Sequence, residues 1–285
     1  MLPYSYEFEA IGTQWEVSSA TEIESSLKER IQDRIEVFDK TYSRFRSDSL
    51  ISQVASKKGE HIFPEDATPL FDFYRKLYEL TEGRVTPLIG QMLERAGYDA
   101  QYSLQSREQV YLPAWDEVMS VKGNSIHTSK ILSLDVGAAG KGYLVDIVAA
   151  LLDDAGHTDY VVDASGDFIH KGSSKNRVGL EHPLQPGQVI GIVDVKNQSM
   201  CASAINRRAW GEGMHHIFDP STKAPVKGVI ATWVIADHAM IADGLATALF
   251  FADPSLLAQH FEYQYVRLHE DGSLDYSHNF GGELF

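Results

Sequence analysis

Residues 134–143 read LDVGAAGKGY, a lysine set behind a run of small residues. Glycines let backbone N–H groups close on an anion, so such a turn is a candidate phosphate cradle. The triphosphate loop G-x-x-x-x-G-K-[ST] does not fit. Asp135 stands where its first glycine belongs, and Gly142 stands where its hydroxyl residue belongs. The dinucleotide fingerprint G-x-G-x-x-G fails too, because Ala138–Ala139 replace its x-G. Taken alone, the turn reads equally well as a tight packing turn. Lys141 argues for a ligand: a cation at a helix start opposes the helix dipole, and a bound anion would explain it.

Two other stretches carry chemistry. In AMIADGLATALFF, Asp243 and Thr247 stand four residues apart, which puts both on one helix face. A carboxylate and a hydroxyl with a backbone carbonyl nearby make a hard oxygen site for Mg²⁺. The competing reading is an N-cap Asp with a buried hydroxyl bonded to its own helix. In HHIFDPSTKAP (215–225), His215 and His216 are candidates for proton transfer or metal binding. Adjacent residues on an extended segment face opposite ways, so they do not form a ligand pair.

The elements that must position these residues follow from apolar spacing. Phe8 to Val17 reads as a strand interrupted by Gly12. Residues 21–40 read as a helix on Ile23, Leu27, Ile31, Ile35 and Phe38, with Thr21 as cap and Glu24 three residues on. A second helix is expected over 66–83, stopped by Gly83. Residues 84–99 read as a loop with a short helical piece, and 100–130 as a polar region with short strands. LSLDVGAAGKGYLVDIVAALLDDAG reads as strand, glycine turn and helix, with Leu144, Ile147, Val148, Leu151 and Leu152 as the apolar stripe. A strand ending in a turn (159–172), a strand pair (187–203), a strand-loop-helix unit (229–251) and a hairpin turning at Asp271–Gly272 complete the chain. The class is α/β in its mixed α+β form, without doubly wound alternation.

The bulk numbers narrow the function. The 285 residues can bury a sizeable core. A formal net charge of −15 repels phosphate backbones, so no nucleic-acid partner is expected. An anionic ligand then needs local cover from a cation, a helix N-terminus or a metal. One cysteine, Cys201, allows neither an internal disulfide nor a Cys-rich zinc site. No signal peptide, lipobox cysteine or membrane span is read. The default expectation is cytoplasmic; a periplasmic chain trimmed of its leader would read the same.

Eight segments in order resemble the ApbE family of FAD:protein FMN transferases. They are IGTQW (11–15), YSRFRSDSLISQV (42–54), TEGRVTPLIGQMLERAGYD (81–99), LDVGAAGKGYLVD (134–146), YVVDASGDFIHKG (160–172), RVGLEHP (177–183), HHIFDPSTKAP (215–225) and ADGLATALFF (242–251). The resemblance implies an ApbE-like fold of mixed sheets and flanking helices. It spans 1–285 as one domain, with two subdomains around an FAD cleft. It implies Mg²⁺-dependent transfer of FMN from FAD to a Ser or Thr hydroxyl of an acceptor protein, with release of AMP. FAD pyrophosphatase activity and flavin binding without turnover are the alternatives. Carried over by position, Asp243, Thr247 and the carbonyl of Ala138 hold the metal. Ile11, Phe45, Gly83, Arg84, Val85, Asp135, Lys141 and Phe218 line the FAD site, and His216 is the base. Phe45 offers a flat face to the isoalloxazine. The chain departs from the family pattern at Thr86, where members often carry an acid, at Ser203–Asn206, and at Ala55.

Overall fold

The computed structural model describes residues 2–211 and 213–285. Its centre is an eight-stranded sheet: β1 (Tyr4–Ala10), β2 (Thr13–Ser19), β3 (Tyr160–Asp163), β4 (Phe168–Lys171), β5 (Ser199–Ala204), β6 (Val229–Ala236), β7 (Gln264–His269) and β8 (Leu274–Tyr276). Spatial order follows chain order, and every pairing is antiparallel. The helices sit inside the connections. Between β2 and β3 lie α1 (Ser25–Tyr42), α2 (Ala67–Leu80) and α3 (Gly140–Asp154); between β6 and β7 lies α4 (Ala239–Ala248). This is the expected α+β mixture without parallel crossovers.

Both faces of the sheet are covered. On one face, α4 packs on β5 and β6 and against α3, which packs against α1. On the other, a small sheet of Asn176–Glu181, Val189–Val195 and Glu283–Leu284 closes a second core over Phe168, Met200, Trp233, Ile235 and Leu268. All eight residues of β6 are therefore buried. Thr232, whose hydroxyl is buried, donates to Ala246 O on α4 at 2.7 Å. Among the described residues no helix is long and apolar enough to cross a membrane.

Several expected elements take another form. Phe8–Val17 is a hairpin: Ile11 and Gly12 both have positive φ (45° and 76°), so the interruption is a tight two-residue turn. α1 begins at Ser25 after Glu24, with no side-chain cap. The Thr21 hydroxyl instead meets His157 Nδ1 at 3.0 Å. Residues 159–172 form two strands around the turn 164–167. The strands of 187–203 join different sheets. Residues 131–136 form no ladder; they are pinned singly, as where Asp135 N–H donates to Pro87 O at 2.7 Å. The buried face of α3 is Leu144, Val145, Val148, Ala149 and Leu152, leaving Ile147 and Leu151 half-buried. The Asp271–Gly272 hairpin forms as expected.

Candidate functional site

The glycine turn 137–139 feeds directly into α3. Gly142 lies where α3 touches α4, and a Cβ there would come within 2.2 Å of Ala239 O and 2.7 Å of Asp243 Cβ. Only glycine permits this approach. Asp146, one turn further on, caps α4 by accepting from the N–H groups of Ala239 and Met240, both at 2.8 Å. Asp243 is thus no cap. It sits mid-helix, 5% exposed, with Oδ2 accepting from Gly142 N–H at 2.8 Å.

This bond also frees an oxygen. Gly142 N–H is the donor that Ala138 O would receive in a continuing helix. Since it goes to Asp243, Ala138 O has no backbone partner among the described residues. Asp243 and Thr247 both lie on α4, one turn apart, and Thr247 is half-buried. A carboxylate, a hydroxyl and a free carbonyl are the donor set of a hard cation. Burial, and then the neighbouring Asp167 charge, push the Asp243 carboxyl well above the usual range. A bound cation would reverse that. Among the described residues no three His, Cys, Asp or Glu side chains cluster as a metal site, so a hard-cation site here would join the Asp243 carboxylate to neutral oxygens. The residues present fit Mg²⁺.

Lys141 has a protein partner that the sequence reading did not assign. Its Nζ lies 2.8 Å from Asp167 Oδ2 and donates to Ala164 O at 3.1 Å. The Asp167 side chain is 3% exposed, and its Oδ1 accepts from Ala202 N–H at 3.0 Å. Burial lowers the Lys141 ammonium, but Asp167 and Asp243 outweigh it and raise the group above its ordinary value. The cation at the helix start is therefore explained in part without a ligand. An ammonium has three donors and two are used here.

A second group of residues is aromatic. Phe218 is buried in a cluster with Met92, Leu93, Tyr98 and Trp210, and Phe45 packs on it. Phe45 is already covered. The Tyr102 ring stacks on it at 5.6 Å and 11°, and the Arg44 guanidinium lies 4.2 Å from its centroid. Asp135 accepts from Arg44 Nε at 2.5 Å and from Gly137 N–H at 2.7 Å. Burial pushes the Asp135 carboxyl up, but Arg44 beside it holds it below the usual range.

His216 is half-buried, and its N–H donates to Arg208 O at 3.2 Å. Among the described residues its ring Nδ1 is sealed without a partner. Burial, then the Arg208 charge, lower the imidazole to about 3, so it is neutral at pH 7. His215, buried, carries an Nδ1 that is likewise unpartnered among the described residues, and burial lowers it too.

The remaining expected residues sit on adjoining turns. Ile11, half-buried, lies in the β1–β2 turn. That hairpin is tied to the Lys141 region where Ser165 Oγ donates to Gln14 O at 2.8 Å. In Gly83–Val85 all three N–H groups are spent internally, on Tyr78 O, Thr81 O and Thr81 Oγ1. Arg84 turns to Phe251 O at 2.8 Å and to Glu82. Of the backbone of that segment, carbonyls remain for a ligand. Thr86, at a departure from the family pattern, caps the short helix Pro87–Ile89 by accepting from Leu88 N–H at 3.2 Å. Asn206, at another, donates to Pro183 O. Arg44, Tyr98, Asp167 and Arg208 were missed. Arg44 and Asp167 lie inside the quoted YSRFRSD and ASGDF segments, and that adjacency was the available signal.

Known proteins share the sequence pattern and the fold of this chain. The model of the ApbE family matches residues 11–266. The chain is 22% identical to the FAD:protein FMN transferase of Escherichia coli K12, over 87% of this chain and 78% of that protein. It is 28% identical to the FAD:protein FMN transferase of Rhodobacter capsulatus, over 68% of this chain and 40% of that longer protein. Among solved structures, it resembles the flavin transferase ApbE of Vibrio cholerae (TM-score 0.79, 20% identity, 96% of each chain). It also resembles the ApbE protein of Thermotoga maritima (TM-score 0.81, 22% identity, 96% of this chain and 97% of that one).

Proposed function

This chain belongs to the ApbE family, and we propose that it is a Mg²⁺-dependent FAD:protein FMN transferase acting on a Ser or Thr hydroxyl of an acceptor protein. The observation that carries the reading is the α3–α4 junction. There, one buried carboxylate, a freed carbonyl and a hydroxyl lie beside a lysine in an otherwise acidic chain.

Asp243, Thr247 and Ala138 O would hold the metal. Bound Mg²⁺ supplies charge neutralisation at the pyrophosphate, which is the main demand of phosphoryl transfer. The third donor of Lys141 adds to it, with Asp167 fixing the Nζ position. In the reaction, the acceptor oxygen forms a bond to the FMN phosphorus. The bond from that phosphorus to the bridging oxygen breaks, and AMP leaves with that oxygen. The hydroxyl proton passes to His216, whose neutral ring can take it. A pyrophosphate beside His216 offsets the Arg208 charge and raises the basicity of the ring. Residues Ile11, Phe45, Gly83–Val85, Asp135 and Phe218 bind and orient FAD in this reading.

The test is incubation with FAD, Mg²⁺ and Ser- or Thr-containing acceptor proteins. Flavin fluorescence on the acceptor in a denaturing gel, with AMP released in equal amount, supports transfer. Free FMN and AMP without labelled acceptor mean hydrolysis. Intact FAD after incubation contradicts both.

A further inference from the structure

Arg44 follows the end of α1, next to Phe45, and its side chain is 4% exposed. The guanidinium lies between aromatic rings, 4.2 Å from the Phe45 centroid and 4.9 Å from that of Tyr98. Nε donates to Asp135 Oδ2, while Nη1 and Nη2 are both buried without an acceptor among the described residues. Leaving two guanidinium nitrogens dry and idle is costly, and cation–π contact offsets only part of it. Neutralising Asp135 does not require them, since one Nε contact already does so. The Nη edge is a rigid two-donor fork that no described residue fills.

The surroundings specify what the fork would take. Asp135 cancels the charge of Arg44, so a multiply charged phosphate gains little there. Lys141, with one ammonium donor unused, stands at the other group of residues, beside Asp167 and Asp243. The rings against Arg44 are those of Phe45 and Tyr98, and Tyr102 packs on both, the three with centroids 5.4–5.6 Å apart. Tyr102, 56% exposed, is stacked on Phe45 at 11°, so this slot already accepts a planar ring.

We propose that Arg44 is a ligand-binding residue whose Nη groups donate to in-plane acceptor atoms of a planar heterocycle, which displaces the Tyr102 ring from Phe45. This rests on the FAD reading above. FAD offers that chemistry twice, in the carbonyls of the isoalloxazine and in the ring nitrogens of adenine.

The experiment measures dissociation constants for FAD, FMN and AMP with the parent chain, Arg44→Lys and Arg44→Gln, and the thermal unfolding of each without ligand. Lysine keeps a cation for Asp135 but lacks the fork. Both variants are expected to lose at least about tenfold in FAD affinity, because a site built to donate is left with its partner unpaired. Loss confined to FMN assigns the contact to the isoalloxazine, and loss confined to AMP assigns it to adenine. Equal losses for FMN and AMP mark a phosphate contact and overturn the proposal, as does parental FAD affinity in Arg44→Lys. A parent chain that binds no FAD overturns the functional reading itself, a result separable from the others. Should both arginine variants fail to fold, exposed Tyr102→Ala serves instead. It is expected to bind FAD more tightly, and weaker binding contradicts the displacement.

Discussion

Gly142 N–H donates to Asp243 Oδ2 at 2.8 Å across a separation of 101 residues. The bond fastens the start of α3 to the middle of α4 and leaves the Ala138 carbonyl without its helical donor. Gly142→Ala would push its Cβ into Ala239 O and Asp243 Cβ. The expected cost is about 3 kcal/mol of folding stability, at the upper end for overpacking because backbone must move. Urea unfolding measures it, and a midpoint unchanged from the parent would contradict the close contact.

Lys141 and Asp167 form a pair with side chains 22% and 3% exposed. Lys141→Met leaves Asp167 buried beside Asp243 with no cation between them. The expected loss is about 2 kcal/mol, reduced from the value for a fully dry pair by the exposure of the lysine. Lys141→Met/Asp167→Leu should recover part of that stability without recovering activity. A double variant no more stable than the single one would contradict the pairing.

His216 links chemistry to pH. Its folded-state value of about 3 lies below the usual histidine value of about 6.5. Between those limits the unfolded chain binds a proton that the folded chain does not. The stability contribution is therefore complete above pH 6.5 and is lost as pH falls toward 3. His216→Gln should lose less stability than the parent between pH 7 and 5, although His215 shifts in the same direction. Parallel pH curves would show that the ring titrates freely. The same variant should slow FMN transfer at least about tenfold while retaining FAD affinity, as expected on removing a general base. Equal transfer rates would remove His216 from the mechanism.

Local chemistry made part of this molecule legible in its sequence. The Asp271–Gly272 hairpin, α1 with its apolar spacing, and the helix behind LDVGAAGKGY all follow from short-range rules. What failed was decided by partners far along the chain. Thr21 met His157 instead of capping α1. Residues 131–136 found no strand to pair with. Asp146, 93 residues before Ala239, took the capping role at α4 and left Asp243 free for the junction. Arg44 and Asp167 acquired meaning only when folding set them against Asp135 and Lys141. A charge on a helix start looked like a ligand signal because its buried counter-ion, 26 residues away, follows no sequence period.

The central claim is that the α3–α4 junction performs Mg²⁺-dependent cleavage of FAD, and AMP release tests it most directly. Asp243 is the charged member of the donor set, so Asp243→Ala removes the carboxylate that would hold the metal there. The parent is predicted to release AMP from FAD when Mg²⁺ and acceptor are present and to stop when the metal is chelated. Asp243→Ala is predicted to fall at least about 100-fold. Full AMP release by Asp243→Ala in Mg²⁺, or FAD left intact by the parent, would contradict the account.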